Sequence, residues 1–345
     1  MLLQQLLGIE LPLIQAPMAG VQGSALAVAV SNAGGLGSLP CAMLAPGGIR
    51  DEAAAIKAGT RRPFNVNFFC HKPPAPDAGR EAAWRGALAP YYAELGIDPA
   101  SIQAGPGRAP FSHDAADVLQ EFAPAVVSFH FGLPAPELLA RVRSWGSKIL
   151  SSATTVEEAR WLEAQGVDAI IAQGVEAGGH RGMFLTGDLS TQVGTFALLP
   201  QIVRQVKLPV IAAGGVADAR GVAAAMALGA AGVQVGTAYL LCPEATTSAL
   251  HRAALRSEAA RHTALTNVFT GRPARGILNR LIKERGPISD VAPAFPLATA
   301  AIAPLRAKAE SRGSGDFSPL WAGQNVSGCK EIPAAALTRE LVAGL

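Results

Sequence analysis

Charge is scarce in this chain. Asp, Glu, Lys and Arg make up 16% of its 345 residues, and from Leu11 to Ile49 there is none. So long an uncharged stretch raises the question of a membrane span. Pro12, Pro17, Gly20, Gly23, Gly34, Gly35, Gly37 and Pro40 interrupt it, whereas a spanning helix needs about 20 predominantly apolar residues without such breaks. The N-terminus has no basic segment ahead of its short apolar run, which argues against a secretory signal. Aromatic residues are also few, at 6%, so Ala, Val, Leu and Gly supply an apolar half of the chain suited to close helix–strand contacts. Cys41, Cys70, Cys242 and Cys329 form no C-x-x-C pair and read as buried or incidental thiols of a reducing compartment. A cytoplasmic location without membrane attachment is expected, and no metal site is assigned. A net charge of +3 is too small to imply a nucleic-acid partner. The phosphate-loop pattern G-x-x-x-x-G-K-[ST] is missing, which disfavours nucleotide hydrolysis, and no G-x-G-x-x-G follows a strand.

What is present is a rhythm. Short apolar runs at Leu13–Ala16, Leu36–Leu39, Phe64–Asn67, Val126–His130, Lys148–Ser151, Asp168–Ala172, Val210–Ala213 and Gly232–Val235 alternate with Ala-rich helical stretches. Thr155 and Asp218 are placed to cap two of those helices, and Gly166 and Gly229 to end them. Eight βα units predict an α/β fold, a TIM-type (β/α)8 barrel over residues 1–242. Two regions break the rhythm. Residues 71–112 hold seven prolines and read as an insertion. Residues 243–312 read as a smaller, mainly helical lid domain, and residues 313–345 as a C-terminal segment that packs back on the barrel through Trp321. From His251 to Arg285 there are eight Lys or Arg against two Asp or Glu. That excess is either a solvated helix face or a cationic lid that attracts a small anion.

Chemistry concentrates at strand ends. The run QGVEAGGHRG, Gln173 to Gly182, places His180 just after two glycines that follow a strand. Glycines let a backbone approach a ligand closely, and an imidazole there can take or give a proton near neutrality. Gly214 and Gly215 end the next strand, and Gly236 and Thr237 the one after. Loops after the last two strands of such barrels often bind a phosphate. Gln15, Met18, Asn65, Asn67 and Gln173 fall on the same rim, and carboxamides that both donate and accept suit the edge of an isoalloxazine ring. FMN fits this chemistry better than a sugar phosphate. His130 either lines the pocket or bonds the backbone at its strand end.

The motifs IQAPMAG (Ile14–Gly20), NVNFF (Asn65–Phe69), SFHFGLP (Ser128–Pro134), QGVEAGGHRG, AAGGV (Ala212–Val216), VQVGT (Val233–Thr237), GRPARGI (Gly271–Ile277) and LWAGQ (Leu320–Gln324) run nearly end to end. Taken together they resemble the nitronate monooxygenases, formerly 2-nitropropane dioxygenases, and within them the class I branch. The resemblance implies non-covalent FMN and oxidation of alkyl nitronates, such as propionate 3-nitronate, by dioxygen to carbonyl compounds and nitrite. By motif match it puts cofactor contacts on Asn67, Gln173, Gly178, Gly215, Gln234, Val235, Gly236 and Thr237, and the catalytic base on His180; Met18 and Gly214 join the expected cofactor site from their strand-end positions. Ala19 stands where the family often has a glycine. An NAD(P)H-dependent FMN reductase acting on an enoyl thioester or quinone is the rival reading, since FMN-dependent enoyl reductases share a similar loop and barrel. A homodimer stays open.

Overall fold

The apolar runs become the staves of a parallel barrel in the computed structural model, which describes residues 2–102 and 108–345. Its first part comprises α1 (Leu3–Leu7), β1 (Leu13–Gln15), α2 (Ser24–Asn32), β2 (Gly37–Pro40), α3 (Pro46–Gly59), β3 (Phe64–Phe69), α4 (Ala78–Leu95), α5 (His113–Phe122) and β4 (Val126–His130). Next come α6 (Pro136–Ser144), β5 (Lys148–Ala153), α7 (Val156–Ala164), β6 (Ala169–Gln173), β7 (Gly179–His180), α8 (Thr195–Gln205), β8 (Val210–Ala213), α9 (Ala219–Ala227) and β9 (Gly232–Val235). The remainder holds α10 (Ala249–Arg256), β10 (Thr263–Thr266), β11 (Ala274–Ile277), α11 (Arg280–Arg285), α12 (Ala298–Ser311) and α13 (Ala334–Leu341). All eight expected strands are observed, with ends shifted by two residues at most.

Eight strands lie in the order β1-β9-β8-β6-β5-β4-β3-β2, all parallel, and a bridge from Ile14 to Leu36 closes the ring. Side chains alternate across each strand, so one parity faces the barrel axis and the other the helices. On β6, Ala169 and Ile171 fill the barrel interior while Ile170 and Ala172 join the helix-facing core. Leu3 and Leu7 of α1 plug the interior from below with Ile14, Leu36, Val126 and Leu150. The same parity carries polar groups inward at the upper rim, where Ser128, His130, Ser152, Gln173 and Gln234 line a common cavity. Thr155 caps α7 through its hydroxyl and Asp218 caps α9 through its carboxylate, as their positions predict.

The outer layer differs from its sequence reading. Residues 71–112 are not merely irregular, because α4 runs for 18 residues within them. Trp84, Leu88, Tyr91, Tyr92 and Leu95 form one apolar helical face, and it shares a core with Ile302 and Leu305 of α12 and with Val268 and Phe269. Helical spacing in that segment was masked by its prolines. Residues 103–107 of the expected insertion lie outside the described residues. Within residues 243–312 a hairpin of β10 and β11 accompanies the helices, and β11 pairs antiparallel with β7. The histidine segment, expected as a loop, is therefore an edge strand of a three-stranded sheet. Farther on, Trp321 bridges to Gly276, and Thr338 of α13 hydrogen-bonds Tyr239 at 2.8 Å.

Candidate active site

A cavity of about 270 Å³ opens at the C-terminal ends of the strands. Met18, Asn67, His130, Gln173, Gly178, His180, Gly214, Gly215, Gln234, Gly236 and Thr237 all line it. Val235 does not. It is 1% exposed, its side chain has the helix-facing parity, and its carbonyl accepts from the Ala16 N–H at 2.8 Å.

One part of the cavity wall is formed by glycine turns after two neighbouring strands. Gly214 and Gly215 turn the chain at φ of 115° and 75°, where side chains are strained. A Cβ on Gly214 would lie 2.9 Å from Thr195 Oγ1. Among the described residues, the N–H groups of Gly215, Gly236 and Thr237 meet no protein acceptor. All three residues border the cavity and none is fully buried, so their free N–H groups are open to a ligand oxygen, and backbone N–H groups at such turns favour anions. Glu176 underlies this turn, but both its oxygens are taken by the Thr195 N–H, at 2.9 and 2.8 Å, so it acts as a cap for α8.

His180 also borders the cavity, placed by its backbone. Its carbonyl accepts from Gln173 Nε2 at 3.0 Å and from His130 Nε2 at 3.1 Å, and Gln173 Oε1 accepts from the Gly182 N–H at 2.7 Å. Its ring Nε2 lies 2.9 Å from Thr270 Oγ1, which leaves Nδ1 as the other ring nitrogen. Phe295, Trp321, Phe69 and Phe131 surround the ring at centroid distances of 5.2, 5.6, 6.0 and 6.1 Å. Burial first, and then the charges of Arg108, His130, Arg272 and His71, hold its pKa well below the ordinary imidazole range. His180 is neutral at pH 7.

His130 resolves between its two expected roles in favour of backbone support, although it also borders the cavity. Its Nδ1 lies 3.0 Å from Ser152 Oγ, so with Nε2 on a carbonyl both nitrogens are committed. Burial above all pushes its pKa down to about 3.

Three arginines escaped the sequence reading. Arg181 is fully buried, and its Nη1, Nη2 and Nε donate to Gly174 O, Gln173 O and Gln192 Oε1 at 2.7, 2.6 and 2.9 Å. It fixes the turn on which His180 rides. Arg272 lies over the Phe131 ring, 3.8 Å from the centroid, and also donates to the Met183 carbonyl. Arg108 lines the cavity, donates to Thr299 Oγ1 at 3.1 Å, and has no carboxylate within salt-bridge range among the described residues. Of the eight basic residues between His251 and Arg285 none lines the cavity, and only Arg272 is near the His180 ring, so that stretch is mostly the solvated face of its two readings.

A (β/α)8 barrel with glycine turns after its last two strands, carboxamides along the rim and a caged imidazole fits the class of flavin-dependent oxidoreductases. The comparisons fix which one: the chain belongs to the nitronate monooxygenase family, whose profile matches residues 1–344. It is 44% identical to a nitronate monooxygenase of Pseudomonas aeruginosa, covering 98% of this chain and 97% of that one. A nitronate monooxygenase of Paraburkholderia phytofirmans is likewise 44% identical over 97% of this chain and 92% of its own. Among solved structures, nitroalkane oxidase from Streptomyces ansochromogenes superposes with a TM-score of 0.89 at 39% identity, covering 99% of this chain and 96% of that one. FabK from Thermotoga maritima does so at 0.73 and 27%, covering 98% and 94%.

Proposed function

We propose that this protein oxidises alkyl nitronates with dioxygen, giving a carbonyl compound and nitrite, with FMN as its cofactor and His180 as its acid–base residue. The observation that carries the reading is a neutral imidazole among cations, at one end of a cavity whose other end offers unpaired backbone donors.

The residues present fit FMN. The N–H groups of Gly215, Gly236 and Thr237 suit one phosphate, and a Cβ on Gly214 or Gly236 would crowd that end. Met18, Asn67, Gln173, Gly178 and Gln234 line the cavity that the glycine turns and His180 share. When bound, the flavin supplies the redox chemistry that no side chain can.

The chain's own part is to bind and position. A nitronate is an anion, so the fields of Arg108 and Arg272 favour it over a neutral nitroalkane. The aromatic cage excludes water and strengthens that preference. Thr270 can donate or accept. When its hydroxyl accepts from Nε2–H, Nδ1 presents a lone pair that can take the α-proton of a nitroalkane. When it donates to Nε2, Nδ1–H is free to hydrogen-bond a nitronate oxygen. Protonation of His180 beside two guanidinium groups is unfavourable, so the arrangement serves preformed nitronates best.

The test is anaerobic mixing of the holoenzyme with nitronate, and separately with NAD(P)H. We expect a yellow protein that releases FMN on denaturation and is bleached by nitronate alone. Bleaching by NAD(P)H alone would move the assignment to a flavin reductase. A protein that takes up no FMN would overturn the reading altogether.

A further inference from the structure

The LWAGQN segment, Leu320 to Asn325, supplies no strand of the barrel, yet four of its six residues border the cavity. The Gly323 N–H donates to Thr237 Oγ1 at 2.9 Å, the Gln324 N–H to Glu176 O at 2.9 Å, and Asn325 Nδ2 to Gly215 O at 3.1 Å. Each contact is with a different loop of the phosphate end. The packing is too close for side chains, since a Cβ on Gly178 would lie 2.6 Å from Gly323 N, and one on Gly323 2.9 Å from Glu176 O. At its other end the segment is tied to β11 through the Ile277 N–H and Leu320 O at 2.8 Å, and Trp321 stands 5.6 Å from the His180 ring. Trp321, Gly323 and Asn325 all border the cavity.

We propose that Leu320–Asn325 is a latch over the cofactor's phosphate, with Gly323 and Asn325 as positioning residues of the cofactor site and Trp321 linking cofactor occupancy to the placement of His180. The inference rests on the FMN reading above. Its chemistry is specific. Because Gly323 N–H fills an acceptor position on Thr237 Oγ1, the Thr237 hydroxyl proton is left to donate, and hydrogen bonds in such a chain strengthen one another. Asn325 holds the Gly215 carbonyl, which belongs to the peptide that follows Gly215, and so limits the rotation at this glycine that aims its own N–H. An anion in the cradle is thus bound best when the latch is down, and reciprocity requires that the anion hold the latch down equally well.

The test is hydrogen–deuterium exchange over residues 320–325 of the unaltered protein, stripped of flavin and then reloaded with FMN or with riboflavin, which lacks the phosphate. We expect FMN to slow exchange there at least about tenfold, in the range of typical coupling between sites, and riboflavin to leave it nearly unchanged. Asn325→Ala should speed FMN release by a similar factor while the circular dichroism spectrum stays native. Trp321→Phe should shift KM for nitronate with little change in FMN affinity. Equal exchange with and without FMN, or equal protection by riboflavin, would overturn the latch. Failure of the unaltered protein to take up FMN would overturn the cofactor reading instead. An Asn325→Ala protein that misfolds leaves the exchange comparison on unaltered protein to decide.

Discussion

His130 holds His180 by the backbone, not by the ring: the Nε2–H of one donates to the carbonyl of the other at 3.1 Å. One imidazole is thereby spent on keeping a second in place, with Gln173 sharing the same carbonyl at 3.0 Å. Substitution at either support is predicted to act through geometry. His130→Ala should lower kcat/KM for nitronate about tenfold or more, because a misplacement of about 1 Å costs on the order of 10²-fold. FMN affinity should hardly change, and titration of apoprotein with FMN checks the separation.

His180→Asn divides proton abstraction from binding. Positioned acid–base groups contribute about 10²–10⁴-fold, so turnover of neutral nitroalkanes should fall by that order and turnover of preformed nitronates by less. Parallel steady-state assays with the two substrate forms decide it. Equal losses would make His180 a binding residue only.

A charge at the cradle tests the phosphate assignment. Gly215→Asp should weaken FMN binding far more than Gly146→Asp. Both glycines have positive φ, 75° and 79°, and neither Cβ would clash, so the backbone strain is matched. Only the first places a carboxylate beside the proposed phosphate. Two like charges 4 Å apart repel by roughly 4 kcal/mol at an effective dielectric of 20, before relaxation. Similar dissociation constants for the two variants would remove the phosphate from this end.

Arg181→Met should unfold the His180 turn. Three acceptors would lose a buried donor, at about 1–3 kcal/mol for each group left unpaired. A fall in Tm together with loss of flavin is expected, and an unchanged Tm would show that water replaces the guanidinium.

Acid should destabilise the fold early. Burial pushes His71 and His251 down to about 4 and His130 to about 3, and His180 well below its ordinary value. The unfolded chain titrates these groups near 6.5, so it binds more protons than the native state at lower pH. Their contribution is complete above about pH 6.5 and is lost as pH falls through the native values near 4 and 3. Calorimetry should show Tm dropping below pH 6.5, and His251→Phe should flatten the slope.

The barrel was legible because strand parity and glycine turns are local signals. Residues 128, 130, 171 and 173 face inward by alternation alone, and the glycines at 214 and 236 announce their turns. What escaped depends on pairing across the chain. The hairpin of β10 and β11 is two four-residue strands whose partner for β7 lies about a hundred residues away. Arg181 sits beside His180 in the sequence, but an arginine is exposed by default, and only its three carbonyl-type acceptors show it to be buried. Val235 was placed at the cofactor by motif match, and β9 parity turns its side chain outward. The apolar face of α4 was present in the spacing from Trp84 to Leu95, hidden among prolines.

The core shared by α4 and α12 makes residues 71–112 and 243–312 a single heritable block, although the barrel separates them in the chain. That block carries Arg108, Arg272 and Phe295 to the surroundings of His180, while the proposed phosphate cradle is made of barrel loops. Grafting one segment from a relative would set Trp84 or Leu305 against a foreign surface. Grafting both would keep that shared core intact and change the surroundings of His180 without touching the barrel loops.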